Sequence, residues 1–211
     1  MHINRKNIGN FWPIPRKGTK YIAVSSHNKK NSIPLSIVVR DILKLVKNVR
    51  ELKKILNEKK IKINGKIIRD VRYPVGLFDL ISIHEENYKC NFNGKKFFFE
   101  KTENVNTKVI KVIGKKNLGK NKIQINLMDG RNIFNNEKVS VNDSILYDFK
   151  LNKVLKVIKM EKGRTGFVVK GKHSGIKGKI LEILKVGGKK MAIIDNKGAI
   201  TVWIKNMIVV E

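Results

Sequence analysis

The sequence predicts an α+β fold that is mostly β, and two observations lead to this prediction. A helical period of 3.6 residues is strong only between residues 32 and 60. From residue 61 onward apolar and polar residues alternate, and Asn-Gly, Asp-Gly and Gly-Gly steps interrupt the alternation. We expect an N-terminal extended arm, a small helical module with a hairpin, a central β domain and a small C-terminal β-barrel, over residues 1–31, 32–89, 90–160 and 161–211.

The first 31 residues show no clear helix or strand period. Phe11-Trp12-Pro13-Ile14-Pro15 contains two X-Pro steps, which favour extended backbone, and a basic run rich in Ser and Asn follows. A disordered tail is the alternative interpretation, but Phe11 and Trp12 are unusual in disordered composition. We favour an arm with aromatic anchors that becomes ordered on its partner.

Two short amphipathic helices are predicted between residues 32 and 60. Ser32 is the expected N-cap of the first helix, with Pro34 in its first turn. Its apolar positions fall within an arc of about 120° and are Leu35, Val38, Val39, Ile42, Leu45 and Val46. Arg40, Lys44 and Lys47 lie on the opposite side.

The second helix begins at Asn48, with Glu51 at the spacing of a capping box. Its predicted apolar face consists of Val49, Leu52, Ile55 and Leu56. Its predicted basic face consists of Arg50, Lys53, Lys54 and Lys60. Acidic residues are nearly absent from the basic face, which a merely solvated helix surface would not require.

Hairpin signals recur along the rest of the chain. They are Asn64-Gly65, Asn93-Gly94, Asp129-Gly130, Gly187-Gly188 and Asn196-Lys197-Gly198. Such spacing is typical of small twisted sheets or barrels and not of a βαβ fold. The basic segment 113–120 between two predicted strands is expected to be an exposed loop.

A glycine-rich segment near the C-terminus nearly matches a nucleotide-binding loop, but the match fails at the residue that matters. His173 stands where a Ser or Thr would bind Mg²⁺, and the glycines that follow cannot open a helix. We interpret residues 171–180 as a strand, a glycine-rich turn and a second strand. A hairpin without a ligand is the alternative, but lysines around the turn (Lys170, Lys172, Lys177, Lys179) favour contact with RNA.

The charge of the chain indicates a polyanionic partner. The 211 residues contain 46 Lys and Arg against 17 Asp and Glu, a formal net charge of +29. Because such a charge repels itself, we expect the native state to include a polyanion that neutralises it. Nucleic acid is the leading candidate, and an anionic membrane surface is the main competitor.

Several functions find no support in the sequence. Cys90 is the only cysteine and the four histidines are scattered, so we expect neither a disulfide nor a metal site, and no cofactor. We expect neither a signal peptide nor a membrane span. No nucleophile or paired-carboxylate motif emerges. Asp129 at a predicted hairpin tip is interpreted as a turn residue in preference to the catalytic aspartate of a pseudouridine synthase.

Three groups of motifs carry a resemblance to known families. The two helices followed by Ile61-Lys62-Ile63-Asn64-Gly65-Lys66 resemble the S4 RNA-binding module, and residues 171–180 resemble the KOW motif. The order of further motifs is similar to the S4e family of small-subunit ribosomal proteins: Trp12-Pro13-Ile14-Pro15-Arg16-Lys17, Ser32-Ile33-Pro34-Leu35, Tyr73-Pro74-Val75-Gly76, Asp129-Gly130-Arg131 and Gly171-Lys172-His173-Ser174-Gly175. This resemblance covers essentially the whole chain.

The S4 resemblance implies an RNA-binding face at Arg50, Lys53, Lys54, Lys66 and Arg69. The sequence differs from the usual S4 module at Lys59, since a glycine commonly ends the helix there. A left-handed conformation at Lys59 would cost roughly 1 kcal/mol of stability. Together with the basic pattern of the other segments, the complete set of candidate RNA-binding residues is Arg5, Trp12, Arg16, Lys17, Lys20, Arg40, Lys44, Arg50, Lys53, Lys54, Lys66, Arg69, Lys170, Lys172, His173 and Lys177.

The expected function is that of a non-enzymatic structural constituent of the small ribosomal subunit, which binds ribosomal RNA and supports assembly and translation. The expected partners are small-subunit ribosomal RNA and neighbouring ribosomal proteins, with one copy per ribosome, a cytoplasmic location and no membrane association. The KOW resemblance implies a small SH3-like barrel at the C-terminus. An accessory to an RNA-modifying enzyme and a transcription elongation factor are the alternatives that share these modules.

Overall fold

Strands dominate the chain in the computed structural model, which describes residues 2–103, 106–119, 122–134, 139–196 and 198–210. Those residues contain two short α-helices, which confirms the mostly-β prediction. The chain divides into two compact units, Met1–Asn106 and Thr107–Glu211. No helix in the described part of the chain is long and apolar enough to cross a bilayer.

The first unit is built on a five-stranded antiparallel sheet with the order β5-β4-β7-β8-β9. Two further strand pairs, β1 with β2 and β3 with β6, complete it. Its strands are β1 (His2–Asn4), β2 (Tyr21–Ala23), β3 (Ile33–Pro34), β4 (Ile61–Ile63), β5 (Lys66–Ile67), β6 (Pro74–Val75), β7 (Leu80–Ile83), β8 (Glu86–Asn93) and β9 (Lys96–Lys101). Its helices are α1 (Leu35–Ile37) and α2 (Val49–Asn57). The predicted boundary between residues 89 and 90 falls inside β8.

The N-terminal segment differs from the predicted arm, because it packs on the rest of the first unit. Strands β1 and β2 pair antiparallel, with Ile3 opposite Ile22. Trp12 is 6% exposed and belongs to the same apolar core as Leu52 and Ile81. Phe11 packs edge-on against Phe97, with 5.1 Å between ring centroids. The aromatic side chains therefore pack on apolar residues of their own chain instead of serving as anchors on an external partner.

Arg5 ties the N-terminal segment into a closed loop. Its guanidinium donates from Nε to the Thr19 carbonyl (2.7 Å), from Nη1 to the Pro15 carbonyl (2.6 Å) and from Nη2 to Thr19 Oγ1 (3.1 Å). Gly18, with φ +139°, lies under this guanidinium, and a Cβ there would come within 2.7 Å of Nη2. The planar fork of one arginine therefore fixes the path of residues 15–19.

The first predicted helix is shorter and wider than expected. After α1 the chain continues as a π-helix over Val38–Ile42, with the Leu43 N–H donating to the Val38 carbonyl at 2.9 Å. The run Ile37-Val38-Val39 is β-branched and favours the α-helix weakly. Lys44 then takes a left-handed conformation, φ +56°, and Leu45 is 42% exposed instead of facing the core.

The predicted start of the first helix was also wrong. Ser32 is not the N-cap, which is Pro34. Ser32 is fully buried, and its hydroxyl donates to the Asn28 carbonyl at 2.8 Å and lies 3.0 Å from Ser25 Oγ, from which it can accept. The backbone of Ile33 is already engaged in pairing with Val75, so the helix cannot begin before residue 35.

The second helix begins as predicted, and its end uses an unusual residue. Asn48 Oδ1 accepts the Glu51 N–H at 2.9 Å, and Glu51 Oε2 accepts the Lys47 N–H at 2.8 Å. At the other end the Lys60 N–H donates to the Ile55 carbonyl and the Lys59 N–H to the Leu56 carbonyl. This is the Schellman pattern, and Lys59 at its left-handed position has φ +59°.

The predicted hairpins are present, with small differences in the turns. Asn64 and Gly65 have φ +50° and +76°, as a type I′ turn requires, and join β4 to β5. The next turn is centred one residue later than predicted, since Asn93 pairs with Lys96 and leaves Gly94 first in the turn. Asn64 is buried, donating from Nδ2 to Asp79 Oδ1 (2.7 Å) and accepting the Leu80 N–H on Oδ1 (3.0 Å).

The second unit contains two five-stranded antiparallel sheets, ordered β12-β11-β10-β13-β14 and β18-β17-β16-β15-β19. Its strands are β10 (Thr107–Asn117), β11 (Ile123–Leu127), β12 (Asn132–Phe134), β13 (Ser144–Asp148), β14 (Lys153–Ile158), β15 (Thr165–Val168), β16 (Lys177–Val186), β17 (Lys189–Asp195), β18 (Ala199–Trp203) and β19 (Met207–Val210). Turns at Gly187-Gly188 and between Asp195 and Ala199 join β16, β17 and β18 as predicted. Lys197, in the predicted second turn, lies outside the described residues.

Two predictions for the second unit were wrong in detail. Segment 113–120 was predicted to be a loop, but its residues up to Asn117 belong to β10 and pair with β11. Lys120 lies outside the described residues. In the glycine-rich segment the first strand is β15, and residues 171–175 lie in the connection to β16, where Gly171 and Gly175 have φ +99° and +88°.

Lys111 on β10 links the two sheets of the second unit. Its ammonium is buried and donates to the Met207 carbonyl at 2.7 Å and to the Ile204 carbonyl. Both acceptors lie at the ends of a short 3₁₀ turn, Ile204–Asn206, that precedes β19. Burial lowers the pKa of Lys111 to about 8.

We expect Lys59→Gly to raise the free energy of unfolding by about 1 kcal/mol, because glycine removes the cost of a left-handed lysine. Lys53→Gly, in the interior of α2, is the matched control and should lower the same quantity by about 1 kcal/mol. Urea denaturation of both variants measures these changes. An equal loss of stability in the two variants would contradict the account of the helix end.

Arg5→Lys keeps the charge but loses the planar fork, so we expect residues 15–20 to open more often. Trypsin cleaves after Arg16, Lys17 and Lys20, and limited proteolysis of the folded protein should cut there several-fold faster in the variant. Arg16→Lys is the control, since Arg16 is exposed and its side chain makes no hydrogen bond with the described residues. Equal cleavage rates in Arg5→Lys and in the native protein would show that the guanidinium does not hold the loop.

Lys111 should make stability rise with pH in the alkaline range. Between pH 8 and 10.5 the unfolded chain holds a proton that the folded chain has released, so the free energy of unfolding increases through this window. Lys111→Met lacks this titration. The stability of the native protein relative to Lys111→Met should therefore increase by up to about 3 kcal/mol across the window. Denaturation curves at a series of pH values test this, and a constant difference would refute it.

Candidate nucleic-acid interface

The cationic face of α2 is exposed and fixed by the packing of the opposite face. Leu52 and Leu56 are at most 1% exposed, whereas Arg50, Lys53 and Lys54 point to solvent. At 100° per residue these three side chains span about 100° of arc, so one strand of phosphates can meet all of them. Arg50 and Lys53 form no side-chain hydrogen bond or ion pair with the described residues.

Acidic groups near α2 leave this face open. Glu58 pairs with Lys60 at 2.7 Å. The hydrogen bond from Lys60 is the main cause that lowers the pKa of Glu58, and the charge of Lys54 lowers it less. Glu51 is engaged in the helix cap. The carboxylates of this helix therefore do not neutralise Arg50 or Lys53.

The hairpin β4–β5 presents Lys66 and Arg69, both exposed. The buried amide of Asn64 holds the turn before them through its bonds to Asp79 and Leu80. Asp79 also accepts the Gly76 N–H on Oδ2 at 2.6 Å. A polar network under the turn thus positions a basic hairpin on a rigid sheet.

The loop closed by Arg5 presents Arg16, Lys17 and Lys20, all exposed. The Lys20 ammonium lies 5.3 Å from the ring centroid of Tyr21, which is 57% exposed. The described hydrogen bonds of Arg5 all go to residues of the loop. Arg5 therefore stabilises the loop from beneath this surface. Trp12 lies in the core, away from solvent.

Arg40 and Lys44 differ in their availability. Arg40 forms a two-pronged ion pair with Asp41, with distances of 2.7 and 2.8 Å, and this hydrogen bonding raises the pKa of the guanidinium. Lys44 is exposed at the left-handed residue that ends the π-helix. The charge of Arg40 is therefore partly neutralised, whereas Lys44 forms no ion pair with the described residues.

The connection from β15 to β16 presents Lys170 and Lys172 to solvent, with His173 half-buried, and Lys177 is exposed at the start of β16. Its backbone is fixed, because the N–H groups of Val169 and Lys170 donate to the Asn206 carbonyl. Gly166 and Gly178 face each other across the two strands. A Cβ on Gly166 would lie 2.6 Å from Met207 Sδ, so this glycine serves internal packing.

The candidate residues form separate surfaces. Arg50, Lys53 and Lys54 share one helix face, and Arg16, Lys17 and Lys20 share one loop. Lys170, Lys172 and His173 lie in the connection that leads to Lys177 at the start of β16. The sequence reasoning missed a further exposed face on β10, β11 and β12 that includes Phe134. Phe134 alternates with Ile133 after a turn, which was the available signal, but an aromatic residue in a strand is commonly assigned to a core.

The geometry of Asp129 matches a turn residue. Its Oδ1 accepts the Arg131 N–H at 3.1 Å, and its Oδ2 lies 3.4 Å from Arg131 Nε. The Arg131 guanidinium in turn lies 4.4 Å from the centroid of Phe149. In the described part of the chain, no three His, Cys, Asp or Glu side chains group so that they could hold a metal ion.

The chain is similar to known ribosomal proteins over the segments that contain these surfaces. Residues 34–81, which contain α2 and the β4–β5 hairpin, match the family described as S4 domain, and residues 84–154 match Ribosomal family S4e. Small ribosomal subunit protein eS4 of Methanocella arvoryzae is 35% identical over 189 residues, covering 86% of this chain and 80% of that protein. The eS4 protein of Nanoarchaeum equitans is 33% identical over 193 residues, covering 87% and 82%.

A solved structure has the same fold. The crystal structure of the 30S ribosomal protein S4e from Thermoplasma acidophilum matches with a TM-score of 0.75 and 26% identity, over 86% of this chain and 96% of that chain. With the two family matches and relatives of this identity and coverage, the chain belongs to the S4e family of small-subunit ribosomal proteins.

Proposed function

We propose that this protein is a structural constituent of the small ribosomal subunit that binds ribosomal RNA and has no catalytic role. The observation that carries the proposal is the exposed face of α2. Arg50, Lys53 and Lys54 lie side by side on a helix whose opposite face is buried, inside the segment that matches an RNA-binding domain family. Lys66 and Arg69 extend the same kind of surface on the hairpin.

Binding is electrostatic and geometric. Each lysine or arginine that meets a phosphate releases counterions, so affinity depends steeply on salt. The folded modules hold these charges in fixed positions, which suits the recognition of folded RNA by shape. Arg50 can also meet a phosphate with two parallel hydrogen bonds, which lysine cannot.

The finer parts of the proposal concern organisation and partners. The chain would act as an N-terminal segment, an S4-type module, a central β domain and a KOW-type barrel. The glycine-rich connection with Lys170, Lys172, His173 and Lys177 would be the RNA contact of the KOW-type module. The protein would lie in the cytoplasm as one copy per ribosome, beside other ribosomal proteins. Co-migration with small subunits in a sucrose gradient tests this.

Charge reversal separates the α2 face from background charge. We expect Arg50→Glu, Lys53→Glu and Lys54→Glu together to weaken binding to deproteinised small-subunit RNA at least about tenfold more than a control triple variant. The control is Lys150→Glu, Lys153→Glu and Lys162→Glu, three exposed lysines of the second unit. Each triple changes the net charge by six, from +29 to +23. Glu, Lys and Arg have similar helix propensities, so α2 should persist.

Filter binding across a salt series gives a second readout. If α2 neutralises three phosphates, its variant should show a log–log salt slope shallower by about 2 to 3 than that of the native protein. The control variant should keep the native slope. Equal losses in the two triple variants would mean that bulk charge alone drives binding, and the α2 face would lose its assigned role.

A further inference from the structure

One face of the sheet formed by β10, β11 and β12 carries polar and aromatic side chains and faces away from the core. Cross-strand pairing sets two rows on this face. The first row is Lys116, Gln124 and Phe134, and the second is Gly114, Asn126 and Asn132. We call these six residues the amide face.

The register shows that the amide face is the outer one. Alternate residues of a strand point to opposite sides of a sheet. On β11, Ile125 and Leu127 are at most 1% exposed, so they face the interior of the second unit. Gln124 and Asn126 must then point outward, together with the residues directly opposite them.

Phe134 is the most exposed large apolar side chain among the described residues, at 70%. Its ring makes no aromatic or cation–π contact with the described residues. A phenylalanine left in water forgoes the burial that stabilises aromatic residues in a core. A ring this exposed can stack on a planar group of a partner.

The amides beside Phe134 suit the edges of nucleic-acid bases. Asn and Gln each offer a donor and an acceptor, the combination that a base edge requires. Gln124 Nε2 donates to Asn126 Oδ1 at 3.0 Å, which holds the two amides in a defined orientation. The amide face thus combines a stacking ring with oriented hydrogen-bonding groups.

Gly114 leaves one end of the amide face without a protruding side chain. A Cβ at this position would lie 3.5 Å from Asn126 Nδ2, an ordinary contact, and its φ is not left-handed. Neither crowding nor strain requires glycine there. The absence of a side chain opens the surface next to Asn126 to a backbone or base that approaches closely.

We propose that the amide face binds an unpaired segment of ribosomal RNA, with a base stacked on Phe134, Gln124 and Asn126 at its edge and Lys116 on a phosphate. Recognition of unpaired bases by stacking on sheet aromatics is a general solution for RNA. The proposal rests on the proposed function and specifies the kind of RNA that one surface meets. None of the six residues of the amide face has a carboxylate, which is compatible with a polyanionic partner. A single apolar ring among three amides is a poor core for a protein interface.

Phe134→Ala tests the stacking without changing charge. We expect it to weaken binding to deproteinised small-subunit RNA by about 5- to 150-fold, while the salt slope stays at the native value. Leu155→Ala on β14, where the leucine is 49% exposed, is the matched control for loss of exposed apolar surface and should change affinity less than about twofold. Equal affinities of the two variants would overturn the proposal.

Phe134→Trp gives a spectroscopic readout that a merely structural role would not produce. We expect this variant to bind RNA as well as the native protein and its added fluorescence to be quenched by stacking when RNA is bound. Trp12 and Trp203 also fluoresce, and titration of the native protein with RNA gives their contribution to the signal. Unquenched fluorescence on saturation with RNA would refute stacking at this position.

The outcomes distinguish this inference from the proposed function. If the native protein binds small-subunit RNA with a steep salt dependence and Phe134→Ala binds equally well, only the amide face assignment fails. If Phe134→Ala binds RNA normally but enters small subunits less well, the face meets a protein and the RNA assignment is overturned. If the native protein shows no salt-dependent binding at all, both the proposed function and this inference fail.

Discussion

An excess of positive charge is the constraint on which the rest of this structure depends. Even if every one of the 17 acidic side chains were paired, 29 of the 46 basic ones would remain without an acidic partner in the chain. Each folded unit must therefore be held together by apolar burial and backbone pairing against its own repulsion. The apolar stripe of α2 and the inner faces of the sheets provide that burial, and most of the charges are left on the surfaces that face outward. A polyanion that neutralises them would stabilise the folded state by mass action.

Tight antiparallel pairing follows from residues that accept left-handed backbone. Asn64 and Gly65 close one hairpin, and Gly187 and Gly188 close another. In a short hairpin each buried strand residue is held by neighbours that are close in sequence, which suits small sheets with little interior. Lys59 is different, because a lysine occupies the left-handed position that ends α2, and the Schellman hydrogen bonds hold it there at a cost in free energy.

The sequence was most informative where a local pattern determines the local structure. The start of α2 at Asn48, its buried face and the hairpin at Asn64-Gly65 depend on neighbouring residues, and the structure confirms all three. The first helix could not be predicted in detail, because pairing of Ile33 with Val75 delays its start and the β-branched run after Leu35 widens it. The folded N-terminal segment was missed for the same reason. Arg5 reaches Thr19 and Phe11 reaches Phe97, and contacts of that separation leave no periodic signal.

The same limit explains why charge and aromatic residues identify candidate surfaces only in part. Composition marks every exposed lysine and arginine alike, whereas the structure separates Arg5 and Arg40, whose guanidinium groups are engaged within the chain, from Arg50 and Lys53, which are free of such bonds among the described residues. For aromatic residues the separation depends on register. Trp12 lies in the core of the first unit, and Phe134 is turned outward because its neighbour Ile133 pairs with the buried Ile125. A shift of one residue in that pairing would bury Phe134 and expose Ile133. The surface that this protein offers is therefore decided by strand register as much as by charge, and register is a property of the sheet as a whole.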